Sequence, residues 1–353
     1  MFEIYKKYCE INGISRFEEP VAQMLKDRTK DYGLEYSRDG LGSLIMKKGN
    51  IGPKIQIAAH MDEVGFLVSD INKEGFLKLF MVGGIRISTI LGTKATVQNS
   101  KGKNFFGIFG HTSIHIMTPK ERKEVSTLEK LYVDLGFTSK EEVLEAGIGI
   151  GDKVFLNGDS FRSSNPDRVI GKAQDNRTGV YILEEIARII SNENIKNQTY
   201  LVGTVQEEIG TRGAITSVSK IKPDLAIAID TLEEHSVPYA QEGVTKIGNG
   251  AALRITDGGI MTDPKLVDFV MKIAKKNNIT AYKYIAKGGG TDSRALQYGE
   301  GGVPSLTIGI PQRYLHAPLG MISLFDIQQV IDLVVEVIKS INNKVYKNEL
   351  IYK

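Results

Sequence analysis

Five places in the sequence put a histidine, aspartate or glutamate where an apolar run stops or a helix begins. KIQIAA (54–59) ends in His60, Met61 and Asp62, TYLVGTVQ (199–206) runs into Glu207 and Glu208, and DLAIAI (224–229) ends in Asp230. SLTIGI (305–310) is followed, after PQRYL, by His316, and AQDNRTG (173–179) sets Asp175 at the mouth of a helix. Each residue has a structural reading of its own. Asp175 serves as an N-cap, His60 as a hydrogen-bonded core histidine, Asp62 or Asp230 as the holder of a turn, and the glutamate pair as a solvated face. Together they pose a conflict, because acids and imidazoles gathered at one sheet edge repel or shift their pKa values. Divalent cations relieve it. Two histidines with several carboxylates and no thiolate suit zinc, cobalt or manganese better than calcium, and an odd carboxylate can bridge two ions about 3.5–4 Å apart.

The elements that must position these groups follow from the hydrophobic pattern. EEPVAQMLKDRTKDYG (18–33) has helical spacing with Pro20 in the first turn. GSLIMKKG (42–49) and KIQIAAH (54–60) read as strands, the second buried on both faces. From about 65 to 162 short β-type pieces dominate, interrupted by a charged, helix-like insert, PKERKEVSTLEKLYVDLG and then SKEEVLEAG. Beyond 165 helices and strands alternate: a helix at 177–191, strands TYLVGTV and 224–230, a helix at 264–277, a strand at 303–310 and a last helix at 324–341. This predicts an α/β protein, with a mixed-sheet catalytic domain (1–64 plus 165–353) sandwiched by helices and a small, β-barrel-like domain (65–164) inserted. Ligands of such sheets bind beyond the carboxyl ends of the strands, where the acids and histidines stand.

Composition narrows the partners. The net charge of +3, from 45 basic and 42 acidic residues without a dense Lys/Arg block, gives no reason to expect nucleic acid. Cys9 is the only cysteine, which excludes an internal disulfide framework and a thiolate zinc cluster. The N-terminus lacks the apolar core of a secretory signal, and no run reaches the ~18–20 apolar residues of a membrane span. The expected setting is cytoplasmic, with no membrane partner.

The strings AHMDEVG (59–65), AQDNRTG (173–179), QEEIGTRGA (206–214), AID (228–230), GGGTDSRA (288–295) and RYLHAP (313–318), in this order, resemble the glutamyl aminopeptidase-like family of co-catalytic metallopeptidases, the tetrahedral aminopeptidases. The resemblance spans nearly the whole chain, including HIMTPKERKEV (115–125) and MTDPKLVDFV (261–270). It implies two divalent metal ions per subunit, zinc or cobalt. Asp175 would be the bridging ligand, His60 and Asp230 would complete one site, and Glu208 and His316 the other. It further implies that Asp62 orients His60 through its far nitrogen and that Glu207 is the general base, taking a proton from water and returning it to the leaving amine. Peptide substrates and dimers assembled into a tetrahedral dodecamer through the inserted domain are implied in the same way.

The last motif departs from the family, which commonly follows its histidine with Ser-Pro and a nearby acid; here Ala317-Pro318-Leu319-Gly320 stand instead. His115 coincides with a recurrent family histidine within reach of a neighbouring subunit's site, but a structural role is preferred for it and for His111. Arg212 and Thr291–Asp292 are candidates for the substrate region, Arg212 with a structural ion pair as its alternative, and His235 reads as surface. Competing functions are a dinuclear-metal deacylase or carboxypeptidase-like hydrolase, for which no clear carboxylate-binding Arg/Lys motif is present, and a non-catalytic scaffold of the same fold. Polysaccharide hydrolysis is disfavoured: no tryptophan can form a sugar platform, and a metal-bridging acid is not a free glycosidase carboxylate.

Overall fold

The computed structural model describes residues 2–352. Helices α1 (Phe2–Glu10) and α2 (Glu19–Thr29) precede strands β1 (Glu35–Arg38), β2 (Leu44–Lys48) and β3 (Lys54–His60). Six strands follow, β4 (Gly65–Ile71), β5 (Leu77–Val82), β6 (Lys94–Gln98), β7 (Asn104–Gly110), β8 (Tyr132–Asp134) and β9 (Lys153–Leu156), with α3 (Lys140–Glu145) between the last two in sequence. Then come β10 (Phe161–Arg162), β11 (Arg168–Gly171), α4 (Gln174–Ile190), β12 (Gln198–Thr204), α5 (Arg212–Ile221), β13 (Leu225–Glu233) and β14 (Ala251–Thr256). The chain continues through α6 (Pro264–Lys276), β15 (Ala281–Ile285), α7 (Ser293–Leu296), β16 (Ser305–Gln312), β17 (Gly320–Ser323) and α8 (Leu324–Ser340).

Eight strands form one mixed sheet in the order β1-β2-β12-β3-β13-β16-β14-β15. Its centre, β12-β3-β13-β16, is parallel throughout, so four carboxyl ends emerge on one edge. Strand β3 shows how both faces are covered. Ile55, Ile57 and Ala59 join the core that holds Leu183 and Ile186 of α4 and Val330 and Val334 of α8. Ala58 points the other way, toward Ala214 and Val218 of α5, and Gln56 donates to Ser217 Oγ at 2.9 Å on that same side. Alternate residues therefore serve opposite layers, and the run reads as continuously apolar because neither layer is water.

Strands β4 to β9 close into an antiparallel barrel, β4-β5-β8-β7-β6-β9, around Phe66, Val97, Phe109, Val133 and Val154. The expected architecture, a mixed sheet between helices with a small barrel inserted, is what the structure shows. The charged insert is different. Residues 119–131 form only short 3₁₀ turns, Glu121–Lys123 and Leu128–Lys130, before β8, and a true helix appears only in SKEEVLEAG, as α3. The segment is almost wholly exposed, so a helix there would have no apolar stripe to bury. In α3, Ser139 accepts from the Glu142 amide as its N-cap.

Candidate metal centre

The carboxyl ends of the parallel strands bring His60, Asp175, Glu207, Glu208, Asp230 and His316 to the wall of one cavity of about 190 Å³. His60 is the last residue of β3 and Asp230 lies near the end of β13. The two glutamates sit in the turn from β12 into α5, and His316 in the loop after β16. Asp175 does not cap α4: the next residue, Asn176, accepts from the Gly179 amide at 2.9 Å in that role, and Asp175 is extended, with φ −83° and ψ 107°. Three of these loops hold a non-glycine residue in the left-handed region, Ala173 (φ 50°), Gln206 (φ 57°) and His316 itself (φ 57°). Such conformations cost about 1 kcal/mol or more each and survive where the surroundings dictate them.

Asp175 lies between the two imidazoles. Its Oδ1 is 3.0 Å from His60 Nε2 and its Oδ2 is 3.2 Å from His316 Nε2. On the His60 side stand Asp230 Oδ1, at 3.5 Å, and Glu207 Oε2, at 4.0 Å. On the His316 side stands Glu208 Oε1, at 3.4 Å. One ligand atom each from His60, Asp175 and Glu208 lies within 4.8 Å of the others. The far nitrogens are held as well: His316 Nδ1 donates to the Gly84 carbonyl at 2.6 Å, a contact that ties this loop to the segment after β5.

Asp62 is fully buried and acts on several partners at once. Its Oδ1 is 3.4 Å from His60 Nδ1, although that nitrogen is closer, at 3.1 Å, to the Asp62 backbone oxygen. The same carboxylate accepts from the Glu207 amide at 3.0 Å, the Glu208 amide at 3.2 Å and the Ser15 hydroxyl at 2.5 Å. Burial alone would push Asp62 up; His60, Ser15 and the Glu207 amide hold it below the ordinary carboxylate range. The acid thus clasps the turn that carries the glutamates.

Charge in the cavity is unbalanced. Five carboxylates, Asp175, Glu207, Glu208, Asp230 and Glu233, line it with two imidazoles and the Arg254 guanidinium, so even two protonated rings leave negative charge over. Burial pushes Glu207 well above its ordinary value, and Glu208 and Asp230 also rise, first because they are buried and then because neighbouring acids repel them. Burial would lower His316, yet Asp175 and Glu208 carry it to about 11. Burial would likewise raise Asp175, yet the two imidazoles hold it well below the carboxylate range. Glu208 Oε1 is buried without a hydrogen-bond donor. An orphaned anionic oxygen, a carboxylate shared by two imidazoles and a ligand set of nitrogen and oxygen without sulfur all fit divalent cations of the zinc type.

Other singled-out residues lie elsewhere. His111 and His115 are both exposed beyond β7 and touch none of these groups. Arg212 opens α5 and donates to the Gln206 side chain at 3.4 Å, and among the described residues no carboxylate lies within 4 Å of it. Asp292 is buried, accepts from Thr204 Oγ1 at 2.5 Å, and is pushed by burial to about 7, with one oxygen unpartnered. His235 is half-buried and hydrogen-bonded to Thr245. A larger cavity of about 670 Å³ between α5 and α7 contains none of the site residues.

Residues 42–333 match the model of the M42 glutamyl aminopeptidase family. The chain is 31% identical over 352 residues to the glutamyl aminopeptidase of Lactococcus lactis, covering 98% of this chain and 97% of that one. The fold superposes on the crystal structure of a TET aminopeptidase from a marine sediment archaeon of the Thaumarchaeota with a TM-score of 0.94 and 35% identity, covering 98% of both chains. It is also similar to a Pyrococcus horikoshii TET1 peptidase that can assemble into a tetrahedron or a large octahedral shell, with a TM-score of 0.88 and 30% identity over 96% of this chain and 99% of that one. Fold, site and matches agree: this chain belongs to the M42 glutamyl aminopeptidase family, a family of peptidases. Among the described residues no helix is long and apolar enough to cross a membrane.

Proposed function

We propose that the protein is a metal-dependent aminopeptidase that removes N-terminal residues from peptides at a dinuclear centre. The observation that carries this reading is the Asp175 carboxylate, which offers one oxygen toward His60 and the other toward His316. His60, Asp175 and Asp230 would hold one ion, and Asp175, Glu208 and His316 the other. Zinc or cobalt held there would polarise the scissile carbonyl and make a water more acidic.

The chain's own residues do the rest. Glu207 stands at the same cavity with Oε2 4.0 Å from His60 Nε2. Its carboxylate takes the proton from the attacking water and returns it to the leaving amine, so one group serves as base and then as acid. Asp62 keeps both glutamates and His60 in register through the backbone amides it accepts from. The buried floor beneath them excludes bulk water, which strengthens each of these interactions.

Residues 1–64 and 165–353 would form the catalytic domain, and residues 65–164, with the barrel, the means of oligomerisation. The assemblies of the structural relatives support a homo-oligomer, with a tetrahedral dodecamer as the leading form, acting in the cytoplasm. To test the activity, the protein is stripped of metal, resupplied with zinc or cobalt, and offered free-amine aminoacyl-anilides beside an N-acetylated peptide. Metal-restored cleavage of the free-amine substrates is expected; hydrolysis confined to the blocked peptide would refute the reading.

A further inference from the structure

The site cavity continues into a second one, of about 390 Å³, and the two share Glu233, Gly288, Gly289 and Leu315 as walls. At Gly288 and Gly289 of the shared wall no side chain stands between the two, and an added Cβ would meet nothing within 4 Å. A substrate whose scissile carbonyl lies at the metal centre therefore has an adjoining space for the side chain of its N-terminal residue. The chemistry of that space is mixed. Val244, Tyr284, Ile285 and Leu315 give it apolar surface, and Glu233 and Glu242 give it carboxylates.

Glu233 is the last residue of β13, three positions beyond Asp230, and its side chain is 39% exposed. One oxygen, Oε2, is 3.3 Å from Arg254, but that guanidinium is already engaged with Asp257 at 2.9 Å and with the Tyr284 hydroxyl at 2.6 Å. One cation is thus divided between two carboxylates, and the set keeps a net negative charge. Lys287, a cation on the cavity wall, donates to Gln241 at 3.1 Å, and Glu242 lines the same cavity. An apolar wall that ends in a carboxylate sharing its one cation with a second acid suits a long aliphatic stem with a cationic head, and it opposes a further carboxylate.

We infer that the second cavity receives the side chain of the substrate's N-terminal residue and that Glu233 makes it select a basic residue, lysine or arginine, over neutral and acidic ones. This rests on the aminopeptidase reading above. Its test compares the metal-loaded enzyme on lysyl-, arginyl-, norleucyl- and glutamyl-anilides, since norleucine matches the lysine stem without the charge. A partly exposed ion pair predicts a kcat/KM about twofold to fivefold higher for lysine than for norleucine, with glutamate below both. That advantage should shrink between about 20 mM and 500 mM salt as the pair is screened. Glu233→Gln should bring the lysine-to-norleucine ratio close to one.

Norleucine equal to or better than lysine, or glutamate preferred over lysine, overturns the selectivity while leaving the aminopeptidase standing. An unchanged ratio in Glu233→Gln, or in high salt should that variant fail to fold, removes Glu233 from the role. No cleavage of any free-amine anilide with either metal overturns the peptidase reading and this one with it.

Discussion

Glu207 and Glu208 are neighbours in sequence whose backbone amides share one acceptor, Asp62, but whose side chains part. Glu208 turns to His316, with Oε1 at 3.4 Å, whereas Glu207 faces His60 at 4.0 Å. Their substitution should therefore separate binding from chemistry. Glu207→Gln is expected to keep two metal equivalents by elemental analysis while kcat/KM falls by about 10²–10⁴-fold, the usual worth of a positioned acid–base group. Glu208→Gln should lose one equivalent, because it removes a ligand charge; equal metal loss in the two variants would contradict the division. The candidate site was legible because an apolar run that stops at a His, Asp or Glu is visible in sequence. What Asp62 does to the two amides, or the Gly84 carbonyl to His316, was not. Backbone donors and acceptors belong to every residue and leave no mark on its type.

The same contrast appears among the elements. Strand β3 has the bounds its apolar pattern predicts, and α6 and α8 end within a residue or so of expectation, since period and capping are local signals. The joint between α1, α4 and the β3 terminus is not local. Arg177, in the first turns of α4, is wholly buried and donates to the carbonyls of Met61, Tyr8, Ile11 and Gly13, with Glu63 Oε1 at 3.4 Å. Lys172 Nζ meets Glu63 Oε2 at 2.7 Å. In sequence these are unremarked charges more than a hundred residues from their partners, so neither spacing nor composition reveals them. Removing the guanidinium takes a donor from the carbonyls of Met61, Tyr8 and Ile11 and from Glu63, while the Gly13 carbonyl keeps the Glu63 amide. Arg177→Leu is therefore expected to destabilise the fold by about 3–5 kcal/mol, as breaking a buried ion pair from one side does. Urea unfolding followed by circular dichroism measures it, and a loss below about 1 kcal/mol would show that the network is not what locks α1 to the site.

For the whole molecule, the question is what the barrel presents outward. A closed barrel leaves no edge strand to pair with another chain, so contact between copies through it must use outward side chains and loops. Strand β7 carries Phe106 (63% exposed) and Ile108 (52% exposed) on its outer face while Phe109 is buried within. The following loop adds Ile114 and Ile116, exposed by 58% and 77%. Large apolar groups in water are a liability to a monomer unless a partner covers them, and the proposed oligomer supplies one. Sedimentation velocity should then find the protein in multi-subunit form. Phe106→Glu combined with Ile108→Glu should convert most of it to smaller species, because burying like charges at an interface without a partner opposes assembly. Circular dichroism on the double variant checks that the barrel still folds. A folded variant with the sedimentation coefficient of the parent would mean that this face of β7 is not where the copies meet.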